Sequence, residues 1–122
     1  MTGQGKCAID TLLAESFKEL AKKHPIEKIT IKEITDLAGV IRPTFYNHFQ
    51  DKYELLSYIY LHELFADITK GVNYDNWYER LEGFLVNMLK DKRFYSNTLK
   101  SNEKIFEHYL FRSMHKLFIR FF

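Results

Sequence analysis

Cysteine, proline and glycine are scarce in this chain of 122 residues. The single cysteine, Cys7, excludes a disulfide framework within the chain and a structural zinc site built from several thiolates. Two prolines and five glycines are too few turn residues for a sheet of many short strands. The sequence therefore favours helices, and the lone thiol is typical of a reducing compartment.

An excess of one charge and long apolar runs are missing as well. The 18 Lys and Arg residues nearly balance the 16 Asp and Glu residues, so the net charge of +2 alone indicates neither a nucleic acid nor an acidic substrate as partner. No segment approaches the roughly 18 consecutive apolar residues of a membrane span, and residues 1–6 lead into no secretory signal. We expect a cytoplasmic protein that has no membrane partner.

Apolar residues recur at helical spacing along the chain, which predicts an all-α fold. The first helix is expected from Ile9 to the break at His24-Pro25. The capping-box pattern from Thr30 to Glu33 opens a second helix that stops at Gly39. A short third helix follows, with a proline in its first turn, where a missing N–H costs little.

Four further helices are expected beyond this region. A second capping box, Asp51 to Glu54, opens a long fourth helix that ends near Gly71, and Asn76 with Glu79 caps a fifth. Residues 94–99 form a sixth, and a seventh begins at residue 102. Because the chain ends in an aromatic helical segment without a C-terminal glycine or polar tail, we expect a truncated helical regulatory domain.

The most specific pattern is the pair of short helices between Thr30 and Phe49, which has helix-turn-helix spacing. Phe45 and Phe49 lie four residues apart and can anchor the second helix. The positions left to project offer hydrogen-bonding groups on almost every residue: Arg42, Thr44, Tyr46, Asn47 and His48. Such a helix is suited to reading DNA in the major groove.

Three segments of this region resemble the TetR family of bacterial transcription regulators: Thr30-Ile31-Lys32-Glu33-Ile34, Ala38-Gly39-Val40, and Thr44 through Lys52 with Leu55-Leu56. The resemblance covers roughly residues 9–70 and implies a three-helix DNA-binding unit. The aromatic run from Phe45 to Phe49, together with the segment around Trp77, is also similar to a subgroup that regulates a dihydroxyacetone kinase operon. We therefore expect a DNA-binding domain over residues 1–70 and a partial effector and dimerisation domain over residues 71–122.

The resemblance also implies roles for single residues. Base edges would be met by Arg42 and Thr44, and a thymine methyl or a sugar by Pro43 and the ring of Tyr46. Phosphates would be held by a larger polar set: Thr30, Lys32, Tyr46, Asn47, His48 and Lys52. Ile41 departs from the small or polar cap of many relatives. Two alternatives stay open: Tyr46 and His48 could pack against the first or fourth helix, and the two lysines could be ordinary solvated side chains.

The second half of the chain is rich in aromatic residues, as is typical of a core or of a cavity for apolar or planar ligands. The candidates for a ligand site are Trp77, Phe84, Met88, Phe106 and Tyr109. His108 and His115 lie seven residues apart, on one helical face, without a third ligand in the pattern. We therefore expect no metal and no cofactor.

These patterns predict a ligand-responsive transcriptional regulator that binds a palindromic double-stranded DNA operator as a homodimer in the full-length protein, with repression favoured over activation. A small-molecule effector would move the fourth helix and change the spacing of two recognition helices. Motifs of nucleophilic or phosphate-binding catalysis are missing, so an enzyme is not expected. The alternative is a helical protein-interaction module derived from this fold without operator binding.

Overall fold

A computed structural model describes residues 2–121, with side chains described from residue 8 to residue 120 except residue 67. Within this part the chain forms helices and turns and no strand, which confirms the predicted all-α class. None of the helices described there is long and apolar enough to cross a membrane. The helices are α1 (Thr2–Ala21), α2 (Ile31–Ala38), α3 (Arg42–His48), α4 (Lys52–Tyr60), α5 (Ala66–Thr69), α6 (Trp77–Lys90), α7 (Lys92–Ser101) and α8 (Glu103–Phe121).

The start of α2 follows its sequence signature closely. The hydroxyl oxygen of Thr30 accepts a hydrogen bond from the backbone N–H of Glu33 at 3.1 Å, and the Glu33 carboxylate accepts from the backbone N–H of Thr30 at 3.0 Å. These bonds hold the pKa of Glu33 below its usual value. The predicted capping box is confirmed, and α2 is fixed at the end where its backbone N–H groups point outward.

The turn between α2 and α3 depends on a glycine. Gly39 has φ 76° and ψ 30°, the left-handed region in which a Cβ is unfavourable, and it ends α2. The N–H of Val40 then donates to the carbonyl of Thr35 at 3.0 Å. Ile41 precedes α3 without a side-chain capping bond, which agrees with its departure from the family pattern.

One predicted helix boundary and one predicted capping box need correction. The α1 helix begins at Thr2 rather than at Ile9. At α4 the Asp51 carboxylate accepts from the N–H of Glu54 at 2.8 Å, but the Glu54 carboxylate accepts from the N–H of Gln50 instead of closing a capping box on Asp51. Asp51 is fully extended, with φ −159° and ψ −179°, so the preceding N–H is the one within reach of Glu54.

The expected long fourth helix is not a continuous α-helix. It runs through α4, a π-helical turn at Leu61–Phe65 and α5, and we call these three segments the connecting helix. Leu64 and Phe65, neighbours in sequence, are both buried in the core. A π turn holds more residues than an α turn, so the side chains after it face a different direction from the one that α-helical spacing gives. Strict 3.6-residue spacing could not have predicted this change of face.

Asn76 is the N-cap residue of α6, as predicted, but the expected capping bond is not formed. The Asn76 side chain makes no capping bond to α6. Instead its amide oxygen accepts from the N–H of Asn73 at 2.8 Å, and its amide nitrogen donates to the carbonyl of Gly71 at 2.9 Å. Asn76 thus closes the turn before the helix, because the left-handed Gly71 (φ 65°) brings that carbonyl back toward the helix start.

One continuous core joins the two halves of the chain. It includes Leu13 and Phe17 of α1, Phe45 of α3, and continues to Phe84 of α6 and Tyr95 of α7. Polar contacts follow the same path. The hydroxyl of Tyr60 donates to the hydroxyl of Thr98 at 2.7 Å. Burial of Tyr60 raises its pKa to about 12, so its phenol stays protonated at neutral pH.

A buried cation also links α1 to the second half. The Lys18 ammonium lies 2.8 Å from the Glu63 carboxylate and 2.7 Å from the Asp91 carboxylate, and the Lys18 side chain is 9% exposed. Burial by itself would lower the pKa of Lys18, but the hydrogen bonds and charges of Asp91 and Glu63 outweigh it and raise the pKa. This group therefore stabilises the fold fully below its ordinary value of 10.5, and that contribution is lost as the pH rises through the raised pKa.

We expect Lys18→Met to lower the free energy of unfolding by about 2 kcal/mol at pH 7. This is less than the cost of breaking a fully buried pair, because both carboxylates keep partial contact with water. The difference from the wild type should shrink as the pH rises above 10.5. Urea unfolding at pH 7 and at pH 11 measures both effects.

Lys22→Met is the matched control, since Lys22 forms a more exposed ion pair with Glu19 at 2.9 Å. Its effect should stay below about 0.5 kcal/mol. Equal effects of the two variants at pH 7 would show that the buried cation contributes no more than a surface lysine.

Candidate nucleic-acid interface

The short helix α3 has one buried and one exposed face. The ring of Phe45 is fully buried and lies 5.9 Å from that of Phe49, which in turn meets Tyr58 of α4 at 5.4 Å. The α3 residues Arg42, Pro43, Tyr46 and Asn47 are exposed on the remaining surface. Phe45 lies within α3, and Phe49 is the extended residue that ends it (φ −139°, ψ 142°). Because both rings are buried, they fix the rotation of α3 and thereby the direction of its polar side chains.

The first turn of α3 presents Arg42, whose guanidinium can donate two parallel hydrogen bonds to a guanine edge. Thr44, two residues later, is half-buried. Its backbone N–H donates to the carbonyl of Ile41 at 3.0 Å, which ties the start of the helix to the preceding turn. Both residues lie at the end of α3 that follows the Gly39 turn, where a recognition helix meets base edges.

The middle of α3 offers an aromatic ring and an amide. Tyr46 is 55% exposed and meets the Phe45 ring edge-on at 5.6 Å, so the core supports a ring that projects from the surface. Asn47 is exposed beside it. The alternative that the Tyr46 ring packs against the first or fourth helix is thus not what the structure shows, since the ring is exposed.

His48 has a different position. Its Nδ1 lies 2.7 Å from the Asp10 carboxylate of α1, and the two side chains are only 13% and 14% exposed. For His48, the alternative of packing against the first helix agrees with this contact. Asp10 lies 38 residues away in sequence and was missed by sequence reasoning, because no local spacing connects the two residues.

Lys52 is also engaged within the protein. Its ammonium donates to the backbone carbonyls of Glu27 at 3.1 Å and Ile29 at 2.8 Å. Those carbonyls belong to the 3-10 turn Ile26–Lys28 and to the residue after it, just before α2. Lys52 therefore fixes the N-terminus of α2 relative to that of α4, and its contact with a phosphate stays a prediction.

At the N-terminus of α2, Thr30 and Lys32 are exposed. The Lys32 ammonium pairs with the Asp36 carboxylate at 2.9 Å, and both side chains are largely in solvent. An exposed pair of this kind contributes little to stability, so its lysine can turn to a phosphate at small cost. Together with α3, this end of α2 forms one polar surface, which we call the α2–α3 surface: Thr30, Lys32, Arg42, Pro43, Thr44, Tyr46 and Asn47.

The five residues predicted for a ligand site do not meet around one cavity. Phe84, Phe106 and Tyr109 surround the buried ring of Phe65, at centroid distances of 5.3, 5.4 and 6.3 Å. Met88 lines a separate surface groove between α6 and α7. Trp77 alone of the five borders an open apolar groove of 520 Å³, lined by Ile68, Val72, Tyr74, Trp77, Leu81, Met114, Leu117 and Phe118.

The geometry of α1 to α4 has counterparts in known proteins. Residues 16–59 match the model of the bacterial regulatory proteins of the tetR family. The HTH-type dhaKLM operon transcriptional activator DhaS of Lactococcus lactis subsp. lactis is 30% identical over 98 residues, which make up 80% of this chain and 52% of that protein. The chain thus spans about half the length of this curated relative.

A solved structure shows the same fold. The structure of a dihydroxyacetone kinase operon activator DhaS superimposes with a TM-score of 0.75 and 28% identity, over 92% of this chain and 63% of that one. The match covers 92% of the chain and so extends beyond α1 to α4 into the second half. The capping box, the glycine turn and the half-exposed third helix all lie within residues 16–59, the part of the chain that is similar to the TetR family of bacterial regulatory proteins.

Proposed function

We propose that this chain contains the DNA-binding part of a transcriptional regulator and that α3 enters the major groove of its operator. The observation that carries the proposal is the two-faced α3, with Phe45 buried on one side and Arg42, Tyr46 and Asn47 in solvent on the other, and with a second buried ring, Phe49, directly after its last turn. A seven-residue helix gains little stability by itself, so its position depends on the core behind it. The α3 helix is thus a rigidly held reading element.

Individual contacts follow from the positions of the side chains. Arg42 and Thr44 lie at the start of α3 and are assigned to base edges. Pro43 and the Tyr46 ring supply apolar contact to a thymine methyl or a sugar, and Asn47 supplies an amide to the phosphate backbone. At the N-terminus of α2, the exposed side chains of Thr30 and Lys32 hold a neighbouring phosphate, assisted by the helix dipole.

Electrostatic attraction over the whole domain is weak in this proposal. Residues 1–55 contain equal numbers of acidic and basic side chains, so only local cations neutralise phosphates. The dependence of affinity on salt should accordingly be moderate, with a slope of about −0.9 for each phosphate contact. Specificity then rests on base contacts from α3 rather than on bulk charge.

The full-length protein, in this proposal, acts in the cytoplasm as a homodimer on a palindromic operator. A helix-turn-helix dimer reads half-sites about 34–36 Å apart, so each subunit must present its α3 at a fixed distance from the other. Several large apolar side chains of α8 are exposed, among them Phe111, Phe118 and Ile119. They suit contact with further protein surface.

A small apolar effector is the proposed signal. The groove beside Trp77 is lined by Ile68 and Val72, which lie at and just beyond the end of the connecting helix, and by α6 and α8. A molecule bound there would contact the same helix that continues to α4 and, through Lys52, to the start of α2. Occupancy of the groove would shift the relative positions of two reading helices in a dimer.

The direction of regulation is best taken from the relatives. The sequence prediction favoured repression, whereas both similar proteins are named activators of a dihydroxyacetone kinase operon. We therefore infer activation for this chain, because the second half, where such proteins differ, is included in the structural match. A reporter gene placed behind the neighbouring promoter distinguishes the two directions.

Tyr46→Ala is expected to weaken binding of a duplex from the intergenic DNA beside its own gene at least tenfold at 100 mM salt. The variant removes an exposed ring and leaves the buried anchors in place, and a loss of about 1.4 kcal/mol of apolar contact corresponds to a tenfold loss of affinity. Filter binding measures the affinity, and thermal unfolding verifies that the fold is intact. Tyr78→Ala, which truncates an equally exposed tyrosine on α6, is the matched control and should bind as the wild type does.

Equal affinities of Tyr46→Ala, Tyr78→Ala and the wild type would contradict the proposal that α3 contacts DNA. Absence of any DNA complex at low salt, together with stoichiometric binding of a purified protein, would favour the alternative of an interaction module.

Ligand binding in the groove beside Trp77 is tested with the dye 8-anilinonaphthalene-1-sulfonate, which binds apolar surfaces. Trp77 is the chain's single tryptophan, so energy transfer from its indole to the dye reports binding beside it. We expect Leu81→Glu, within the groove, to reduce this transfer at least fivefold, since a carboxylate would be placed against apolar walls. Leu89→Glu, on α6 but outside this groove, should leave it unchanged; equal loss in both variants would contradict the proposed site.

A further inference from the structure

We propose that Asp10 is a positioning residue for a contact between His48 and a DNA phosphate, and that it makes this contact dependent on uptake of a proton. The inference rests on the proposed function, since it concerns the same α3 helix. It assigns a role to an acidic residue of α1, outside the helix-turn-helix. Its consequence is that operator affinity decreases as the pH rises and the imidazolium loses its proton.

The contact itself is close and sheltered. The Nδ1 atom of His48 lies 2.7 Å from a carboxylate oxygen of Asp10. Both side chains are about seven-eighths buried, so the pair is held in one arrangement between α1 and the last turn of α3. The His48 side chain keeps 13% of its surface exposed, and the neighbouring residue Asn47 is exposed. The Nδ1 nitrogen thus has a partner within the protein, and the Nε2 nitrogen lies on the opposite edge of the ring.

The chemistry of this pair determines where the ring proton is. An ionised carboxylate can only accept hydrogen bonds, so the Nδ1 of His48 must carry a hydrogen and donate it to Asp10. In the neutral imidazole the second nitrogen, Nε2, then has a lone pair and no hydrogen. Phosphate oxygens also only accept. A neutral His48 oriented by Asp10 therefore has no hydrogen to donate to DNA.

Protonation removes this conflict. The imidazolium ion has a hydrogen on each nitrogen, so it donates to Asp10 through Nδ1 and to a phosphate oxygen through Nε2. The row of charges is then negative, positive and negative, and both hydrogen bonds are charge-assisted. Because the phosphate adds a second negative partner, binding of DNA favours the protonated ring. Each such contact takes up one proton in solutions where the free ring is neutral.

Charged groups on the neighbouring elements have other partners. On α2 the Lys32 ammonium pairs with Asp36 at 2.9 Å. At the start of α4 the Asp51 and Glu54 carboxylates accept from backbone N–H groups, and Lys52 donates to backbone carbonyls. Within the described side chains of α1, Asp10 is the group bonded to His48. The proton linkage is therefore assigned to this pair.

The test measures the affinity for the intergenic duplex by filter binding between pH 5.5 and 8.5 at constant salt. The wild type should lose affinity up to about tenfold per pH unit for each imidazole that must be protonated. In Asp10→Asn the amide can donate to Nδ1, so the ring hydrogen moves to Nε2 and a neutral ring can bind phosphate. We expect its affinity to change less than about twofold per pH unit. His48→Gln, which has no titrating ring, should show the same flat profile.

Two further variants separate positioning from a purely structural role. His48→Arg keeps a permanent cation that can pair with both Asp10 and phosphate, and it should bind over the whole range as the wild type does at pH 5.5. His24→Gln removes an exposed histidine before α2 and should retain the wild-type slope. Melting temperatures at each pH identify any loss of affinity that arises from unfolding.

A flat wild-type profile, or the wild-type slope retained in both Asp10→Asn and His48→Gln, would overturn this inference and leave DNA binding intact. Absence of wild-type binding at every pH would overturn the proposed function and this inference with it.

Discussion

The burial of two phenylalanine rings, Phe45 and Phe49, determines what α3 can do. Only seven residues long, α3 depends for its stability on contacts with the rest of the protein. The two rings join the core formed with Leu13 and Phe17 of α1 and leave the opposite face in water. Rotation of α3 about its own axis would expose a ring and bury Arg42, so the polar face keeps one direction. A fixed direction is what recognition of base edges requires.

The same core extends from α1 to α4 into the second half, and buried polar contacts accompany it. Lys18 of α1 binds carboxylates on the π-helical turn and at the junction of α6 and α7. Asn97 of α7 donates to the last carbonyls of α1, at Ala21 and Lys22. A movement of α7 or of the connecting helix is therefore coupled mechanically to α1, and α1 holds α3 through its core and through Asp10. Through these contacts, the second half is connected to the α2–α3 surface.

Features encoded by neighbouring residues could be predicted from the sequence, and features that depend on distant residues could not. The capping box at Thr30 and the turn at Gly39 depend on side-chain spacing and backbone conformation within a few residues, and both are confirmed. The partners of Lys18, Lys52 and His48 lie more than 20 residues away in sequence, and no periodic pattern indicates them. Asn76 had two local partners within reach, the helix start and the preceding turn, and a capping pattern alone does not decide between them.

The proposed binding of DNA to the α2–α3 surface is best tested by amide chemical shifts. The ¹⁵N-labelled chain is titrated with an intergenic duplex, and the shift of each backbone N–H is followed by NMR. We expect the largest changes on residues 42–48 and on the N-terminal turn of α2, with α6 and α8 nearly unaffected. Changes centred on α6 and α8, with α3 unmoved, would contradict the proposal.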